Sequence, residues 1–337
     1  MISVDLPLAD LHRHLDGCVR LQTILGLGLK YNLNLPASTL DGLKPYVQVM
    51  TPQPGVMAFI EKFFWMTAVM VDYEAIERIA LECVEDLQQE GIDYAELRFS
   101  PMFMAEAHQL NLSEVIRAVN SGIQAGKNKT HVNVNLIGII SRTYGPEQAW
   151  KELQAILASR QMFCGVDLAG DEFNYPGEEF VPHFKAVRDA GLHVTVHAGE
   201  SRGPESVWQA LTQLGAERIG HAVHAIEDPV LMDYLANNKI GIESNLTSNV
   251  QTSTVSSYKT HPLKTFLQYG IPATINTDDP GISAIDLPYE YNFAASAASC
   301  DSTQIRQAQI NGILTAFMSE SEKNKLIQTH QAKQNQS

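Results

Sequence analysis

The stretch HVTVHAGE, residues 193–200, packs the β-branched Val194, Thr195 and Val196 between two histidines and then stops at Gly199. β-branched residues suit a pleated strand, and glycine punctuates it, so the segment reads as a short strand whose end presents His197 and Glu200. The same design recurs downstream in RIGHAV (218–223), which carries His221, and in PATINTDDPG (272–281), which carries Asp278 and Asp279. Upstream it occurs in DLHRHLDG (10–17). Extending this reading over the whole chain gives eight β-rich runs: 10–15, 93–99, 132–140, 163–169, 193–197, 218–223, 239–243 and 272–277. Amphipathic helical patterns fall between them at 74–90, 113–126, 146–158, 178–190, 204–214 and 227–237. Alternating strands and helices of this kind build a parallel sheet, and eight of them close into a TIM-type (β/α)8 barrel, an α/β fold.

The spacing is regular except after the first run, where about 75 residues precede the second. A plain βα connection needs far fewer, so extra helices are expected there, in a helical insertion covering about residues 20–90. Phe59, Phe63, Phe64 and Trp65 in that insertion are expected on one helical face, either as core packing or as a lid over a site. Beyond residue 300, QIRQAQINGILTAF and SEKNKLIQTH read as two further helices. One barrel domain is therefore expected over residues 1–330, with a polar tail at 331–337.

The 337 residues include 24 basic and 38 acidic side chains, a net charge of −14, and 45% are hydrophobic. Such a chain is neither a disordered tail nor a disulfide-stapled miniprotein. With no Lys/Arg-rich run it lacks the electrostatic footprint of a nucleic-acid binder, and no stretch is long and apolar enough for a membrane span. The N-terminus carries no secretory pattern, and the four dispersed cysteines fit reduced thiols, so a cytoplasmic protein is expected. No nucleic-acid or membrane partner is expected; protein partners are left open.

Alternate residues of a strand share a face, which puts His12, His14 and Asp16 together. Barrel active sites are assembled at the C-terminal ends of several strands, so this cluster should meet His197, Glu200, His221, Asp278 and Asp279. Three imidazoles and a carboxylate, His12, His14, His197 and Asp278, make a donor set suited to zinc with a position left for water. Zinc lowers the pKa of such a water to about 7. Glu200, three residues past a ligand, is placed to move protons, although a carboxylate at a helix start is the plainer alternative. His221 is placed to orient the nucleophile. Seven other histidines, at 108, 131, 183, 193, 224, 261 and 330, belong to no motif and read as surface or core residues. Glu96 and Arg98, two apart on one strand, read as a structural ion pair.

Taken together, HRHLDG (12–17), YAELRFSP (94–101), DLAGDE (167–172), HAGE (197–200), GHA (220–222), IESNLTSN (242–249) and NTDDP (276–280) resemble the adenosine deaminases of the metal-dependent hydrolase superfamily, bacterial type. The resemblance runs from Leu6 to about Ser321. It implies hydrolysis of adenosine, and of 2′-deoxyadenosine, to the inosine product and ammonia with one zinc per subunit, in nucleoside salvage. It further implies that Glu200 protonates purine N1, Asp279 meets N7 and the Gly170 N–H meets N3. Asp16 would accept from a ribose hydroxyl, His14 would also border the substrate, and Phe59 and Phe63 would wall the pocket. Asp278 would act in catalysis as well as hold the metal. The chain departs from the pattern at Ala222, where many relatives carry glycine, and at Asn245, where several carry cysteine. A related deaminase acting on adenine or a modified adenosine, and a catalytically silent nucleoside-binding barrel, stand as alternatives.

Overall fold

The computed structural model describes residues 1–334. Eight parallel strands lie in sequence order: β1 (Ala9–His14), β2 (Tyr94–Phe99), β3 (Asn133–Ser141), β4 (Gly165–Ala169), β5 (His193–Ala198), β6 (Arg218–His221), β7 (Gly241–Ser244) and β8 (Ala273–Ile275). They form the TIM-type barrel that the alternating pattern calls for. Nearly all of their side chains are buried, as they must be when helices cover the outside and side chains fill the inside.

The barrel closes between β8 and β1 by substitution of one kind of hydrogen bond for another. β8 ends at Ile275, two residues earlier than the sequence pattern suggests. Beyond it the Asn276 side chain, rather than a main-chain carbonyl, accepts the Leu11 N–H at 3.0 Å. Main-chain pairing resumes at Asp278, whose N–H donates to His12 O and whose carbonyl accepts from His14, both at 2.8 Å. The seam therefore ties Asp278 directly to the strand carrying both N-terminal histidines.

β4 and β5 pair only through Gly165–His193 and Val166–Val194, then splay. The splay would strand buried carbonyls. Arg142 fills it, donating from one guanidinium nitrogen to Leu168 O and to His197 O. A buried cation thus supports the wall from which His197 projects.

The insertion between β1 and β2 holds helices at Leu21–Lys30, Leu40–Val47, Val56–Ile60, Phe64–Ala68 and Tyr73–Gln89. It corrects the reading of one aromatic face. The chain tightens to a 3₁₀ turn at Glu61–Phe63, which breaks the helical period. Phe59 and Phe63 are buried, whereas Phe64 is 62% exposed and stacks edge-on against Trp65. At the C-terminus, helices span Ser302–Leu314 and Glu320–Gln334, so residues 331–334 of the expected tail are helical and 335–337 lie outside the described residues. No helix among the described residues is long and apolar enough to cross a membrane.

Candidate active site

At the C-terminal end of the barrel a cavity of about 270 Å³ is lined by His14, Asp16, Phe59, Phe63, Gly170, His197, Glu200, His221, Asp278 and Asp279, among others. His12 lies beneath it, fully buried. Every sequence-derived candidate thus falls in or under one cavity: Phe59 and Phe63 come from the insertion after β1, and each of the others sits on the last residues of a strand or the first residues after it.

Five side chains converge at its floor. Asp278 Oδ1 lies 3.1 Å from His12 Nε2 and 3.3 Å from His14 Nε2, and His14 Nε2 lies 3.3 Å from His197 Nε2. His221 Nε2 stands 3.9 Å from Asp278 Oδ2. Two imidazoles are oriented from behind: His12 Nδ1 donates to Glu243 at 2.7 Å, and His197 Nδ1 donates to Asp167 at 2.9 Å. Each proton on Nδ1 leaves Nε2 as a free lone pair facing the cluster, the arrangement that metal-ligating histidines adopt. His12 Nε2 is buried without a hydrogen-bond partner. An unsatisfied buried nitrogen beside imidazoles and a carboxylate fits a divalent cation.

The carboxylates that hold these rings are anchored in turn. Arg98 donates to Asp167 and to Glu243, both at 2.8 Å. Arg218 donates to Glu243 at 2.7 Å and to Glu96 at 2.5 Å. Glu96 and Arg98 are therefore structural, but not as a pair with each other: alternate positions on a twisted strand point into the barrel at different levels, where each meets the charge of another strand. Burial alone would hinder ionisation here, but His197 and Arg98 hold Asp167, and Arg98 and Arg218 hold Glu243, well below the usual carboxylate range.

Electrostatics separate the pocket carboxyls by role. Burial would raise Asp278, but His12 and His221 hold it well below its ordinary value. Glu200 is pushed well above its ordinary value by burial and by Asp278 and Glu172, with only Arg142 opposing. Asp279 is likewise raised well above the usual range, by burial and by Asp278 and Asp16. The pocket thus favours the ionised form of one carboxyl group, against the histidines, and the protonated form of two. Divergent pairs of this kind mark acid and base assignments. Asp16 Oδ1 and Asp279 Oδ1 are also buried without partners, as groups awaiting a ligand would be.

Backbone strain occurs at the same place. His221, Ala222 and Asp278 have φ of 63°, 53° and 63°, in the left-handed region that non-glycine residues avoid. Ala222 thus takes, as alanine, a conformation for which glycine is the easier choice. Gly170, with φ 110°, has a reason within the protein itself to be glycine: a Cβ there would fall 2.4 Å from Thr143 Oγ1.

Sequence reasoning missed Glu172, two residues beyond Gly170 in a quoted motif. Its carboxylate accepts the N–H groups of Gly199, Glu200, Ser201 and Arg202 at 2.6–3.1 Å, and Ser206 Oγ as well. Four successive amides on one side chain pin the turn that carries Glu200. Asp167 and Glu243 were also missed, although both belong to quoted segments; buried acids in a strand show only that they need partners, not which ones.

A family model described as adenosine deaminase matches residues 7–333. An adenosine deaminase of Vibrio cholerae is 57% identical over 327 residues, which cover 97% of this chain and 98% of that one. Among solved structures, an adenine deaminase from Arthrobacter aurescens aligns with a TM-score of 0.90 at 21% identity, covering 98% of this chain and 100% of the other. An N6-mAMP deaminase of Arabidopsis aligns with a TM-score of 0.83 at 25% identity, covering 98% of each.

Proposed function

The chain belongs to the adenosine deaminase family, and from that premise we propose that it hydrolyses adenosine and 2′-deoxyadenosine to inosine and deoxyinosine with release of ammonia. The observation that carries the reading is the meeting of His12, His14, His197 and Asp278 beside two carboxyl groups raised well above their ordinary values. These four residues would hold one zinc ion, a choice that the nitrogen-rich donor set supports. Bound there, zinc supplies Lewis-acid activation of the attacking water.

The chain's own groups supply the proton chemistry. Glu200, whose proton burial helps to retain, delivers it to purine N1, which makes C6 electrophilic as water adds; of the two protons of that water, one leaves with the amino group as ammonia and one returns to Glu200. Asp279, also protonated, donates to N7. The Gly170 N–H meets N3, Asp16 accepts from a ribose hydroxyl, and His221 orients the attacking oxygen. Phe59 and Phe63, both buried at the cavity, exclude water from the apolar side of the base. The insertion at about 20–90 roofs this pocket within a single barrel domain covering 1–330.

Neighbours of the same fold that are named for adenine and for N6-mAMP share the architecture, so the fold does not select the substrate. The pocket lining supports a nucleoside. Among the described residues no lysine or arginine lines it, and at its mouth Glu106 accepts from Tyr144 at 2.6 Å. A carboxylate at that position favours a neutral nucleoside over a nucleotide monophosphate. The four thiols are unpaired, which fits work in the cytoplasm, in nucleoside salvage.

A panel of adenosine, deoxyadenosine, adenine, AMP and N6-methyladenosine tests the proposal. Adenosine and deoxyadenosine are expected to lose their amino group fastest. Faster release of ammonia from adenine or AMP would overturn it.

A further inference from the structure

His261 belongs to no sequence motif, yet it is buried and lies one residue away from the site. Its Nδ1 accepts the Leu263 main-chain N–H at 3.1 Å. A main-chain amide cannot be turned around, so this nitrogen carries no proton. Burial pushes the ring down to about 3, which leaves it neutral. Its single proton is therefore on Nε2, 3.1 Å from Asn249 Oδ1. An amide that accepts on oxygen offers only donors on its other arm, and Asn249 Nδ2 is 3.0 Å from His221 Nδ1. Each link of this chain dictates the next: Nδ1 of His221 must accept, and its proton must be on Nε2.

We propose that Asn249 and His261 are positioning residues that fix His221 as the Nε2–H tautomer, so that it faces the reaction as a hydrogen-bond donor and not as a base or a metal ligand. The role in orienting the attacking oxygen rests on the deaminase reading above; the tautomer does not. The assignment also decides between two imidazoles that the geometry leaves close to Asp278. A protonated His221 Nε2 has no lone pair to offer a cation. Two neighbours could argue otherwise. Glu200 Oε1 lies 3.5 Å from His221 Nδ1, farther than the Asn249 amide. The Asn245 amide nitrogen is 3.4 Å from both ring nitrogens, and its oxygen is buried without a partner. Being equidistant from the two, Asn245 does not distinguish the tautomers, whichever way its amide is turned.

The test is the position of the proton. In purified protein labelled with ¹⁵N in its histidine rings, long-range ¹H–¹⁵N correlations are recorded with and without metal, and the His221 ring is identified by its loss in His221→Gln. The proton is expected on Nε2 in both states. Asn249→Asp keeps the shape but can only accept, so it should move the proton to Nδ1. Its kcat on adenosine should fall about 100-fold or more, as on removal of one preorganised donor, with metal content unchanged. A proton on Nδ1 in the unmutated protein overturns the inference outright, whether or not the Asn249 variant folds. An Asn249→Asp protein that keeps the Nε2 proton overturns it as well. If the unmutated protein shows Nε2–H yet releases no ammonia from adenosine, the proposed function fails and the tautomer assignment stands.

Discussion

Replacing Glu172 by glutamine tests how the reacting carboxyl is held. The substitution keeps size and shape but gives one carboxyl position two hydrogens. One oxygen of Glu172 now serves Glu200, Ser201 and Arg202, and the other serves Gly199 and Ser206. The least damaging orientation keeps an oxygen toward the three amides and turns the new NH₂ toward Gly199, where donor meets donor; Ser206 can reverse its hydroxyl to accept. Hydrogen bonds to a charged acceptor contribute about 1.5–3 kcal/mol, and a buried donor left without a partner costs about 1–3 kcal/mol. A loss of about 2–4 kcal/mol of folding stability follows, large against a typical total of 5–15 kcal/mol. Urea unfolding measures it as a shift of the midpoint. Because Glu200 lies inside the pinned turn, a small displacement there should also lower kcat by about 10- to 100-fold. A Glu172→Gln protein within about 0.5 kcal/mol of the parent and with the parent's kcat would refute the reasoning.

Three further outcomes are expected. His14→Ala should purify without stoichiometric metal, measured by elemental analysis; full occupancy would remove His14 from the ligand set. Gly17→Ala places a Cβ 2.0 Å from Asp279 Oδ1, so Asp279 must swing away and kcat/KM should drop about 10- to 100-fold, with metal content retained. Glu290, buried and raised to about 8, binds its proton more tightly folded than unfolded. Its contribution to stability is full below the ordinary value near 4.5 and is lost as pH rises to about 8. Glu290→Gln should therefore flatten the decline of the urea midpoint between pH 5 and 8, and an unchanged pH profile would contradict that.

The strand ends were legible because two periods meet there: an alternating run stops, and a histidine or acid follows at once. His12 and His14 share a face by strand geometry, and barrel topology brings them to His197 and Asp278 without any knowledge of distances. Glu96 and Arg98 show where such reasoning ends. Local spacing suggested that they pair, whereas each is matched by a residue more than 60 positions away, and only the closed barrel specifies those partners. Phe64 failed as part of one aromatic face because a 3₁₀ turn shifts the period by a fraction of a residue, which hydrophobic patterning does not encode. The Asn249–His261 relay was hidden for another reason. Its members have no chemistry of their own to advertise, and their meaning lies wholly in which atom faces which.

The central claim is that a protonated Glu200 beside the four-ligand floor drives deamination of adenosine. Glutamine copies the neutral form of that side chain, so Glu200→Gln should fold and bind metal as the parent does. Ammonia released per adenosine consumed, with metal content measured on the same samples, gives the most direct test. Unchanged metal and a rate lower by about 100-fold or more are expected. Full turnover by the Glu200→Gln protein would contradict it.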